Sequence, residues 1–151
     1  MKMIDVGGKD KTPRTAVATA QVRMSPSTVQ RVRDGKVEKG DVLAAARLAG
    51  VMAAKRTPDL IPLCHPISLS SVEVDVKLTA QGIEVRSEVK ATDRTGVEME
   101  ALTAASAAAL TIYDMLKGIE RGMTIERIQL ELKTGGRSGT WTPSPSGRGS
   151  G

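Results

Sequence analysis

Asp114 and Lys117 stand three positions apart at the end of a long apolar stretch. At that spacing they share a helix face, and the ordinary reading is a solvated ion pair. Two features point further. An acid near the C-terminal end of a helix meets the negative end of its dipole, and no other charge occurs between Ala101 and Met115. A carboxylate beside an ammonium in a dry place has the ingredients of an acid–base pair with shifted pKa values. At the opposite end of the stretch, Glu98 and Glu100 flank Met99. Glu98 follows Thr95 at capping-box spacing. Glu100 is not needed by such a cap, which leaves it to hold something else. His65 is the only histidine, fixed between Cys64 and Pro66. Cys64 and His65 are too few for zinc, so they read as ligand contacts and no metal site is expected. Lys39 precedes a helix start, where free amides and the dipole favour an anion. Lys55-Arg56 reads either as a phosphate clamp or as a solvated last turn. Lys133 and Arg137 flank Gly135-Gly136, which let a backbone approach phosphate closely, though no Walker-type sequence is present.

These residues need elements to position them. Residues 1–13 read as a flexible lead, 14–133 as one catalytic domain and 134–151 as a mobile Gly/Ser/Pro-rich tail. Ala16, Ala18, Ala20, Val22 and Met24 alternate, a strand from Arg14. Ser25-Pro26 opens a short helix over about 26–34. Asp41 caps a second helix to about Arg56. Three prolines over 58–66 predict a rigid extended loop without regular helix. Alternation at 72–78 and 83–89 around Gly82 gives a hairpin. The longest helix spans about 96–117, and Ile128, Leu130 and Leu132 mark a last strand. This order predicts an α+β, ferredoxin-like fold. Its four-stranded, mostly antiparallel sheet carries helices packed on one face.

The net charge of +5 suits an anionic partner. With no Phe, one Tyr and one Trp, the chain lacks the stacking platforms of single-strand binders. A small phosphorylated ligand is favoured, and neither nucleic acid nor membrane is expected as a partner. One cysteine and no long apolar run predict a cytoplasmic protein.

The two main helices are apolar all round, with Arg47 the one charge between Val42 and Ala54. A helix of that kind needs cover on both sides, which predicts a homo-oligomer. Glu100 and Asp114 are 14 positions apart, so they point about the same way but lie about 21 Å apart along the axis. If both touch one ligand, they belong to different subunits.

Three segments together, KGDVLAAARLAGVMAAKRTPDLIPLCHP (39–66), TGVEMEALTAASAAALTIYDMLK (95–117) and KTGGRSG (133–139), resemble the cyclic pyranopterin monophosphate synthases, the molybdenum cofactor biosynthesis protein C family. The resemblance covers about 14–139. It implies a lyase that converts 3',8-cyclo-7,8-dihydroguanosine 5'-triphosphate to cyclic pyranopterin monophosphate and releases pyrophosphate. It implies a homohexamer, a trimer of dimers with intersubunit sites. It suggests no cofactor of the protein's own, though magnesium could accompany the triphosphate. By position, Asp114, Lys117 and Lys39 match catalytic residues. Leu63, Cys64, His65, Met99 and Glu100 match substrate-binding residues. Arg14, Lys55 and Lys133 fall where the family is basic around the triphosphate, and Glu98 joins the same site. The competing readings are a ferredoxin-like RNA- or nucleotide-binding module and a regulatory ligand-binding ring.

Overall fold

The computed structural model describes residues 1–144. Its elements are β1 (Thr12–Arg23), α1 (Pro26–Arg33), α2 (Val42–Lys55), α3 (Thr57–Leu60), β2 (Leu69–Thr79), β3 (Gly82–Asp93), α4 (Glu98–Leu116) and β4 (Thr124–Thr134). All strand pairs are antiparallel, in the order β2-β3-β1-β4. This is the ferredoxin-like arrangement that the alternating segments predict.

Period-two patterning turns Ala16, Ala18, Ala20 and Val22 inward, where they meet Val85, Val89, Ala101, Ala105 and Ile112 in one core. Small residues let α2 and α4 approach closely. A Cβ built on Gly50 would lie 2.9 Å from a Val74 methyl and 3.2 Å from the Ala104 carbonyl oxygen. On the far side, Leu48, Met52 and Leu110 are exposed, Leu48 by 62%. The sheet's other face is polar, with Thr19, Gln21, Asp75, Lys77, Glu84, Arg86, Gln129 and Glu131 around a shallow hollow.

Three local expectations are corrected. The proline segment is not wholly extended, because Thr57–Leu60 forms one helical turn. Pro58 sits in its first turn, where a missing N–H costs nothing, and the Thr57 hydroxyl donates to the Ala53 and Ala54 carbonyls at 3.1 and 3.0 Å. The capping box at Thr95 and Glu98 does not form. Val97 is the N-cap of α4 and no side chain caps the helix; Glu98 pairs instead with Lys133 at 3.4 Å. Strand β1 starts at Thr12 rather than Arg14. At the same end of the sheet, Trp141 exchanges two backbone hydrogen bonds with Lys133, at 2.8 and 2.9 Å. The rest of the expected tail, 145–151, lies outside the described residues.

Candidate active site

The start of α4, the loop after α3 and the N-terminal segment enclose a hollow of about 470 Å³. Leu63, Cys64 and His65 form one wall, and Gly96, Glu98 and Met99 another. The structure thus gathers the loop residues and the helix start that the sequence marks separately. Ile4, Val6 and Lys9 also line it. The sequence reading placed these three in a flexible lead. The one available signal was the apolar pair Ile4 and Val6 ahead of Gly7-Gly8.

Glu100 lies behind this wall, only 2% exposed. The Cys64 thiol donates to its Oε2 at 3.7 Å, and its Oε1 has no hydrogen-bond partner among the described residues. Burial raises the Glu100 carboxyl above the ordinary range. Burial first, then the Glu100 charge, pushes the Cys64 thiol up to about 11, so at neutral pH the thiol keeps its proton and serves as a donor.

Arg14 is buried at the adjoining end of the sheet, and its Nε donates to the Asp93 carbonyl at 3.3 Å. The backbone at Gly135 and Gly136 turns through φ 101° and 75° against it. A Cβ at Gly136 would overlap an Arg14 terminal nitrogen. The glycine pair therefore makes room for a guanidinium, a role different from direct phosphate approach. Lys133 joins this end through Glu98. Lys55 stands apart, in a neighbouring hollow with Val51, Ile67 and Val72 that shares only Ile67 with the first. Arg137 is exposed.

Asp114, Lys117 and Lys39 form a second cluster at the far end of α4. Lys117 Nζ lies 3.1 Å from Asp114 Oδ1, and Lys39 Nζ donates to Oδ2 and to the Asp114 carbonyl, both at 3.0 Å. The pairing with Lys117 is as predicted; the bracketing by Lys39 comes from the loop before α2. The dry setting is corrected for the single chain, because the side chains of Asp114 and Lys117 are 56% and 53% exposed. Lys39 first, then Lys117, lowers the Asp114 carboxyl below its ordinary range. It is a carboxylate at neutral pH, able to accept a proton, with two ammonium donors held against it.

Fourteen helical residues, about 21 Å, separate this cluster from Glu100. Within one chain the two groups do not meet.

A ferredoxin-like α+β domain with a hollow of about 470 Å³ at one end of a helix and a lysine-bracketed carboxylate at the other defines the class. Comparison supplies the family. The model of the MoaC family matches residues 3–136, and the chain belongs to that family. It is similar to proteins named cyclic pyranopterin monophosphate synthase. That of Thermomicrobium roseum is 60% identical over 142 residues, covering 93% of this chain and 86% of the relative. That of Roseiflexus sp. is 58% identical over 140 residues, with 91% and 89% covered. That of Novosphingobium aromaticivorans is 56% identical over 140 residues, with 93% and 89% covered.

Proposed function

We propose that this chain is a cyclic pyranopterin monophosphate synthase. It converts 3',8-cyclo-7,8-dihydroguanosine 5'-triphosphate to cyclic pyranopterin monophosphate, with release of pyrophosphate, in molybdenum cofactor synthesis. Family membership and the identity of relatives over more than nine-tenths of the chain support the reaction. One observation carries the site: the hollow beside Glu100 and the lysine-bracketed Asp114 stand at opposite ends of α4, about 21 Å apart.

In this reading the halves come from neighbouring subunits of a hexamer. The exposed apolar residues Leu48, Met52 and Leu110 support such an assembly. One subunit offers Leu63, Cys64, His65, Met99, Glu98, Glu100, Arg14 and Lys133; its neighbour offers Asp114, Lys117 and Lys39. Lys55, one hollow away, serves at the edge. Water adds to the five-membered ring of the purine, the ring opens, and the pyrazine ring closes. Asp114 starts as the proton acceptor, because two lysines keep it ionised, and those lysines return protons to nitrogen centres. A sugar hydroxyl then attacks the α-phosphate, while cations steady the charge that develops as pyrophosphate leaves. Magnesium is a companion of the triphosphate in this scheme, not a resident of the protein.

The test is incubation of the purified chain with the cyclised GTP derivative and detection of pyrophosphate and a pterin. Tight binding of the nucleotide without product would favour the regulatory ring instead.

A further inference from the structure

Three buried side-chain atoms have no hydrogen-bond partner among the described residues: Thr12 Oγ1, Arg94 Nε and Glu100 Oε1. Folded proteins leave few such atoms, so each asks for an occupant. Two of the three belong to neighbouring positions of the backbone register. Thr12 pairs with Asp93 across β1 and β3, and Arg94 is the next residue. Arg14 reaches the same place, since its Nε donates to the Asp93 carbonyl at 3.3 Å. Arg14 is 4% exposed, yet it makes no ion pair among the described residues. A guanidinium buried without an anion is costly.

The nearby acids are otherwise engaged. Asp93 Oδ1 accepts from the Arg94 backbone N–H at 2.7 Å, and Glu98 is held by Lys133 at 3.4 Å. Neither pairs with either guanidinium. The chain then runs from Arg94 directly into Thr95 and Gly96, which line the 470 Å³ hollow.

We propose that Arg94 and Thr12 complete an anion subsite with Arg14, and that this subsite takes a phosphate group of the ligand. Two guanidinium groups match phosphate oxygens with paired donors, and the Thr12 hydroxyl adds a third contact. The proposal rests on the phosphorylated substrate above and deepens it by naming residues that grip it.

The experiment is calorimetric titration of the full chain with pyrophosphate and with tripolyphosphate. Arg94→Gln should weaken binding by at least about tenfold, the scale of one lost charge-assisted hydrogen bond. Thr12→Val should weaken it less, and Arg94→Lys should recover part of the loss. With the cyclised nucleotide, Arg94→Gln should raise KM more than it lowers kcat. Unchanged pyrophosphate affinity in Arg94→Gln overturns the subsite, as does a wild-type chain that binds neither polyphosphate. Equal losses in Arg94→Gln and Arg94→Lys, both tracking a fall in melting temperature, show a structural role and also overturn it. A wild-type chain that binds pyrophosphate through Arg94 but makes no pterin would sink the proposed reaction and leave the subsite standing.

Discussion

Glu100 is the residue whose chemistry departs furthest from its type. A carboxyl group 2% exposed, with one oxygen on a thiol and the other without a partner among the described residues, is held closer to its neutral form. The consequence for stability has a definite sign. Its folded pKa is raised above the unfolded value, so stability is greatest below the unfolded pKa and falls as pH rises towards the folded one. Glu100→Gln should remove that fall. Thermal melts from pH 4 to pH 8 should show the variant gaining a few degrees on the wild type as pH rises; parallel curves would refute it. Asp114 has the opposite sign. Its lowered pKa keeps the lysine pairs intact at neutral pH and breaks them as pH falls through that lowered value. The sequence identified both carboxyl groups as special. It did not give the direction for Asp114, because three-residue spacing says nothing about solvent or about Lys39, 75 positions away.

Among the elements, the crossing of α2 over α4 sets where everything else sits. Gly50 is a close contact point, since a Cβ there would lie 2.9 Å from a Val74 methyl and 3.2 Å from the Ala104 carbonyl oxygen. Gly50→Ala should gain up to about 1 kcal/mol of helix propensity. It should lose about 1–3 kcal/mol through overpacking. Backbone at Ala104 yields little, so the loss wins, and denaturant melts should show net destabilisation. Helix α4 was legible from its apolar run, but its start was not. The Thr95 signature competes with Lys133, which arrives from β4 and takes Glu98 for itself. The one-turn helix at Thr57–Leu60 was hidden in the same way. Pro58 forbids a helix interior but not a first turn, and the choice depends on carbonyls left open by the end of α2.

For the whole molecule, the proposed function requires neighbouring copies to meet. Our reading predicts a solution mass six times the 15.9 kDa of one chain. Asp114→Ala should keep the fold, since the side chain is exposed, and lose turnover. Mixed hexamers of Asp114→Ala with Glu100→Ala should recover roughly a quarter of wild-type activity, because random pairing rebuilds that share of intact sites. Verified hybrids with no activity would place both residues in separate sites. Lys9 and Arg94 also belong to this scale. Lys9 has only the nearby apolar pair Ile4 and Val6 to mark it, and Arg94 has no motif; one gains its place because the N-terminal segment runs along the hollow, the other because β1 starts beside the end of β3.

The sequence by itself determined the order of the four strands and the three longer helices, the inward faces of the strands and the separation of Glu100 from Asp114. These follow from period-two and 3.6-residue repeats, which are local and survive any packing. Only the tertiary structure decided that Cys64 faces Glu100, that Lys39 brackets Asp114, and that Arg14 is buried with no ion pair among the described residues. Those contacts join distant stretches of chain, and their energies depend on who else is present when water leaves.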